Sequence, residues 1–359
     1  MKKMTAMILG LSFFAAALAG CGQAQEAPVE APAEAAEAEQ GSEAEAPAEP
    51  EAEAAAAAEE TADTVKTEPA EAPEEEDEEN YDTGDAGLDD PRNQSEGIGE
   101  KELLVVSFGT SYNDSRRLTI GAIEQALEDA YPDWAVRRAF TSQIIIDHVK
   151  DRDGEVIDNV EEALDRAEQG GVKQLVVQPT HLMDGYEYND LLDLLATYSD
   201  AFESIRVGDP LLTSDEDFSA VADAIHEATK SYDDGKTAIC FMGHGTEADS
   251  NSVYAKMQTV FEEKGFDNYY MGTVEAEPSV DDVLKAIEGK GYERVVLRPL
   301  MVVAGDHANN DMAGDEDDSW KSIFEKAGYK VEPVIEGLGQ LPDIQRMYVA
   351  HAKAAMDEQ

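Results

Sequence analysis

From residue 101 onward, short apolar runs alternate with segments in which apolar residues recur every three or four positions. A run of four to eight apolar residues bounded by turn signals reads as a strand buried on both faces, and the longer spacing reads as amphipathic helix. Glu102 to Phe108, with Leu103 to Val106 at its centre, is the first predicted strand. A helix over Ser115 to Ala130 follows, with Ile120, Ile123 and Leu127 at helical spacing. Ala135 to Phe140 and Gln174 to Gln178 predict strands, separated by a helix over Asn159 to Gln169 that Gly170-Gly171 ends. Leu191 to Tyr198 predicts a helix, Ile205 to Leu212 a strand interrupted by Pro210, and Asp217 to Thr229 another helix. The cycle then restarts. Strands over Ala238 to Met242, Tyr269 to Val274 and Val295 to Val303 are each followed by a helix, over Asn251 to Lys264, Val280 to Gly289 and Trp320 to Ala327. A strand over Lys330 to Val334 and a helix over Met347 to Met356 close the chain. This predicts an α/β fold of two similar lobes, residues 101–230 and 231–359, each a mostly parallel sheet flanked by helices, facing each other across a cleft.

The first hundred residues read differently. Met1 to Gly20 has the form of a secretory signal, with Lys2 and Lys3 before an apolar run from Met7 to Leu18 that is too short to span a bilayer comfortably. Leu18-Ala19-Gly20-Cys21 resembles a bacterial lipobox, in which the cysteine is lipidated. The expectation is a protein outside the cytoplasm, anchored to the cell membrane through lipid on Cys21. Residues 22–100 hold 27 acidic and 2 basic residues with almost no aromatic or β-branched side chains. Such a segment buries too little apolar surface to offset its ordering entropy, so residues 21–100 are expected to form a disordered, self-repelling tether. Residues 101–359 are acidic too, with 52 acids against 23 bases. That balance argues against a nucleic-acid partner and favours encounter with cations. The second cysteine, Cys240, sits inside a predicted core strand and reads as a small buried apolar residue.

The candidate chemistry gathers just past the predicted strands, where open α/β sheets place their ligands. Ile239 to Met242 runs into Gly243-His244-Gly245, Tyr269 to Val274 delivers Glu275, and Val295 to Val303 leads to Ala-Gly-Asp-His ending at His307. Two histidines and a carboxylate so placed make a site for a divalent metal. For Glu275 alone, an exposed strand-end carboxylate is the plainer reading. Gly109-Thr110-Ser111, after Phe108, offers backbone N–H groups to a substrate carboxylate, although a plain tight turn accounts for it equally. His181, also past a strand, lines a pocket or bonds locally. His148, His226 and His351 read as structural or solvated, and Asp315 to Asp318 as charge suited to a helix N-terminus.

Taken together, Ser107-Phe-Gly-Thr-Ser-Tyr, Arg138-Ala-Phe-Thr-Ser-Gln, Val177-Gln-Pro-Thr-His, Met242-Gly-His-Gly-Thr-Glu, Gly272-Thr-Val-Glu and the long motif from Pro299 to Asp315 closely resemble the anaerobic cobaltochelatases of the CbiK type, within the class II tetrapyrrole chelatases. The resemblance implies ATP-independent insertion of cobalt(II) into sirohydrochlorin, with iron(II) and nickel(II) as alternative metals and no nucleotide. It implies that His244 is base and metal ligand and that Glu275 and His307 are the other ligands; Phe108, Gly109, Thr110, Ser111 and His181 stand beside them as candidate substrate-binding residues. Ala276-Glu277 departs from the family's usual glycine and aromatic before the proline and adds negative charge there. The export signal leaves a second expectation standing: a surface lipoprotein that binds haem, another tetrapyrrole or a metal ion for uptake. A homo-oligomer is left open.

Overall fold

The computed structural model describes residues 86–357, apart from positions 89, 95, 96 and 98. The signal-like segment, Cys21 and most of the expected tether lie outside the described residues. Two four-stranded parallel sheets carry the rest. The first comprises β1 (Lys101–Ser107), β2 (Ala135–Phe140), β3 (Gln174–Pro179) and β4 (Ser204–Val207) in the order β2-β1-β3-β4. The second comprises β5 (Thr237–Gly243), β6 (Tyr269–Thr273), β7 (Arg294–Pro299) and β8 (Lys330–Pro333) in the equivalent order β6-β5-β7-β8. The repeated order puts the first strand of each sheet beside two later ones, so the chain leaves β1 and β5 in one direction and returns in the other. That switch point opens a crevice at the carboxyl ends of both sheets. Every residue of β5 is buried, as its uninterrupted apolar run requires.

The helices are α1 (Asn113–Leu118), α2 (Ile120–Ala130), α3 (Gln143–Asp153), α4 (Val160–Gln169), α5 (Tyr186–Thr197), α6 (Asp215–Thr229), α7 (Ser252–Glu263), α8 (Val280–Ile287), α9 (Trp320–Lys326) and α10 (Pro342–Asp357). The helix expected over Ser115 to Ala130 breaks at Thr119 (φ −110°, ψ −79°), whose hydroxyl donates to the Ser115 carbonyl at 2.5 Å. The strand expected to reach Val303 ends at Pro299, because Met301, Val302 and Val303 are apolar as walls of the crevice rather than as sheet core. The strand expected to reach Leu212 likewise ends at Val207, ahead of Gly208-Asp209-Pro210. Asp315 to Asp318 do not cap α9. Ser319 does, accepting from the Ser322 amide at 3.1 Å, while Asp317 pairs with Lys326 at 2.8 Å.

Alternate strand residues feed different cores. Leu104, Val106 and Val177 meet α4 and α5 on one face of the first sheet, and Cys240, Val295 and Leu297 meet α8 and α9 on one face of the second. Leu103, Val105, Ile239 and Phe241 share a third cluster that runs through both lobes. Two helices build it by crossing over. α6 packs on α7, and His226 and Thr229 on it bond the Tyr269 hydroxyl of β6 at 3.0 and 2.5 Å. α10 packs on α2, α6 and β3, and its Tyr348 hydroxyl donates to the Thr180 carbonyl at 2.9 Å. Packing thus crosses the division expected at residues 230 and 231. The last helix completes the first lobe, because its apolar stripe Ile344, Tyr348, Ala352 and Ala355 finds its complement there. Cys240 is buried, which pushes its thiol pKa up and suits the apolar role.

The end of the expected tether is structured as well. Pro91–Asn93 forms a 3₁₀ turn capped by Asp90, whose carboxylate accepts from the Arg92 amide at 3.0 Å. Asp90 also pairs with Arg138 at 3.0 Å, and Arg92 with Glu128 at 3.1 Å. Composition alone suggested disorder up to residue 100. Complementary charges on the first lobe order this stretch instead.

Candidate active site

His244 follows directly from β5. Its carbonyl accepts from the amides of Val274 and Glu275, at 3.1 and 2.8 Å, which ties the end of β6 to the end of β5 and sets Glu275 beside the imidazole. Gly245 makes this turn possible. Its φ is +92°, and a Cβ there would lie 2.8 Å from the Ala276 amide nitrogen. His307 arrives from the loop after β7, immediately before a single π turn, Ala308–Met312.

These three side chains converge. One ligand atom from each of His244, Glu275 and His307 lies within 4.8 Å of the others, and among the described residues no other group of three metal-ligating side chains comes together this way. The two imidazoles meet edge to face, with ring centroids 4.7 Å apart at 82°, and His244 Nδ1 is 3.8 Å from Glu275 Oε2. The side chains are 45%, 54% and 33% exposed for His244, Glu275 and His307, open enough to receive an ion. Each histidine is also oriented from behind. His244 Nδ1 donates to the Gly245 carbonyl at 2.7 Å, leaving Nε2 with its lone pair. His307 Nδ1 donates to Asp311 Oδ2 at 2.7 Å, and that bond raises the His307 pKa. A carboxylate behind a ligating imidazole is the usual way such a ligand is aimed.

His244 lies on two adjoining cavities. The larger, about 510 Å³, is walled by Phe108, Leu182, Met183, Tyr186, Tyr188 and Met301 to Val303, with Glu275 at its edge. The smaller, about 310 Å³, contains Thr110, Ser111, His148, Asp306 and His307. Phe108 and Gly109 belong to both, and the Phe108 ring is 47% exposed between them. Gly109 (φ +105°) passes so close to Phe140 that a Cβ would sit 2.6 Å from its ring. Among the described residues, no lysine or arginine lines either cavity. The anticipated substrate-side residues thus all reach the crevice. His148, read as structural or solvated, is in its wall too. His226 and His351 are structural. His226 stacks on Phe266 with centroids 4.2 Å apart, and His351 pairs with Asp217 at 3.1 Å.

His181 is buried in the wall of the larger cavity with Nε2 3.6 Å from Glu187 Oε2, and burial pushes its pKa down to about 4. The unfolded chain therefore binds more protons than the folded one between pH 4 and the ordinary histidine value. Stability is full above that value and is lost as pH falls through the window, by up to about 3 kcal/mol. In His181→Gln this slope disappears, which urea titrations at pH 7 and pH 4.5 detect. Equal slopes in the two proteins contradict it. Sequence reasoning missed both Glu187 and Asp311. The signal for Asp311 was its place four residues after His307, one helical turn on.

Residues 101–357 match the sequence model of the family described as cobalt chelatase (CbiK). The chain belongs to this family. The sirohydrochlorin cobaltochelatase of Salmonella typhimurium is 37% identical over 258 residues, covering 72% of this chain and 97% of that protein. The sirohydrochlorin cobaltochelatase CbiKC of Nitratidesulfovibrio vulgaris is 29% identical, covering 72% and 91%. A solved structure of the sirohydrochlorin chelatase SirB from Bacillus subtilis subspecies spizizenii in complex with cobalt aligns at TM-score 0.49 and 12% identity, over 71% of this chain and 95% of its own. The family match begins with β1, so the ordered residues 86–94 precede it.

Proposed function

We propose that the protein is a sirohydrochlorin cobaltochelatase, inserting cobalt(II) into the macrocycle without a nucleotide. The observation that carries this reading is the convergence of His244, Glu275 and His307 at the edge of an apolar cavity. Insertion must hand over a divalent ion and remove two pyrrole protons. Two imidazoles and a carboxylate capture cobalt while leaving coordination positions for macrocycle nitrogens. The His244 Nε2 lone pair, left open by the Nδ1 bond to the Gly245 carbonyl, is the proton acceptor of the site. The aromatic and aliphatic wall of the larger cavity suits a flat macrocycle, whose carboxylates are met by neutral donors such as the Gly109 to Ser111 turn and His181, since among the described residues no cationic side chain lines the space. Iron(II) and nickel(II) fit the same donor set. The signal-like segment and Cys21 support a lipoprotein held outside the cytoplasm, with the acidic stretch as spacer.

The test is anaerobic incubation of the full chain with sirohydrochlorin and cobalt(II), followed by absorbance. Insertion well above the uncatalysed rate is expected. Tight tetrapyrrole binding without acceleration would instead leave an uptake protein. Asp311→Asn removes the carboxylate that aims His307, and cobalt affinity should fall about 10- to 100-fold by titration. In the wild type, affinity falls as pH drops below neutral, because the bond to Asp311 lets His307 keep its proton to higher pH.

A further inference from the structure

Ala86, Asp90 and Asn93 cover a buried cluster of charges that leads to the cleft. Glu155 is its hub, with a side chain only 1% exposed. Its carboxylate accepts from Asn93 Nδ2 at 2.8 Å, Arg116 Nη2 at 2.6 Å and Arg138 Nη1 at 3.4 Å. Asp90 holds the other side of Arg138, and the Ala86 carbonyl accepts from Arg116 Nη2 at 3.2 Å. Arg116 then reaches the cleft, its Nη1 donating to the Thr110 carbonyl at 3.0 Å and its Nη2 to Asn113 Oδ1 at 2.6 Å. Thr110 abuts the loop that carries His307, since a Cβ at Gly305 would lie 3.1 Å from its hydroxyl. Next to Arg116, Ser115 Oγ accepts from the Ala304 amide at 3.0 Å. Charge-assisted bonds shielded from water are strong and directional, so a change at one end of this ladder is passed along it.

We propose that the turn from Asp90 to Asn93 is a positioning strap for the cleft. Asp90 and Asn93, acting through Glu155 and Arg116, hold the Thr110 turn on which the His307 loop is seated. This rests on the reading of His244, Glu275 and His307 as the cobalt site. Once Asp90 and Asn93 lose their bonds, the existing 3.4 Å contact between Arg138 and Glu155 tightens, Arg116 follows Glu155, and the Thr110 carbonyl loses its donor. The imidazole of His307 is then no longer held within the tolerance that ligation needs.

The test compares the full chain with its Asp90→Ala, Asn93→Ala double variant. In the variant, hydrogen exchange at residues 109–113 and 304–308 should quicken, and KM for cobalt(II) should rise about tenfold with kcat nearly unchanged. Unaltered exchange in both segments and an unaltered KM overturn the proposal, however far the melting temperature drops, since the strap then only stabilises the lobe. Should the wild type insert no cobalt, the chelatase reading fails and exchange alone decides: acceleration in both segments upholds the coupling, and its absence overturns it.

Discussion

His244→Ala should lower the rate of cobalt insertion by about 10²- to 10⁴-fold, the range that a positioned proton acceptor contributes. The reasoning begins with the tautomer. A carbonyl only accepts, so the 2.7 Å contact between Nδ1 and the Gly245 carbonyl puts the proton on Nδ1 and the lone pair on Nε2. Glu275 and His307 stay in place in the variant, and the lost side chain is nearly half exposed, so no core cavity opens. Circular dichroism and melting temperature should therefore match the wild type while the absorbance change of insertion disappears, and added imidazole should restore part of it. Retention of more than about a tenth of the wild-type rate would remove His244 from the role of base.

Arg138→Ala should be the most destabilising single change in the first lobe, at about 3–5 kcal/mol. The guanidinium donates to both oxygens of Glu124, at 2.8 and 2.5 Å, and reaches Asp90 and Glu155 besides. These partners outweigh desolvation and raise the Arg138 pKa. Truncation leaves the wholly buried Glu124 facing no partner but Arg92 at 3.9 Å. Urea unfolding at neutral pH measures the loss. A change below about 1 kcal/mol, the ordinary size for surface ion pairs, would show that water enters and screens the cluster.

Much of this was legible in the chain because buried parallel strands write themselves as apolar runs. Strands β1, β3, β5, β6 and β7 fall where such runs fall, and the three converging side chains were found because each stands just past one of them. Periodicity failed where one kind of residue served two ends. Met301 to Val303 are apolar for the sake of the crevice, and Gln143 to Asp153 opens with three isoleucines that suit a strand or a helix equally. Partnership across the fold was the least legible. Nothing local in α10 tells which sheet its stripe will meet, and nothing in an Asp-Pro-Arg-Asn stretch beside a long acidic run announces that buried arginine and glutamate await it.

The crossing of α10 has a consequence for how the molecule is made. Ile344, Tyr348, Ala352 and Ala355 supply part of the wall against which α2 and β3 are packed. Synthesis delivers them only after all eight strands have left the ribosome. The first lobe, although its own strands emerge earliest, keeps an apolar face uncovered until the second lobe is complete, and closes last. The two halves are thus not successive folding units, and separate expression of residues 101–230 would yield a sheet that keeps α2 and α6 on that face but is bare where α10 lies on β3.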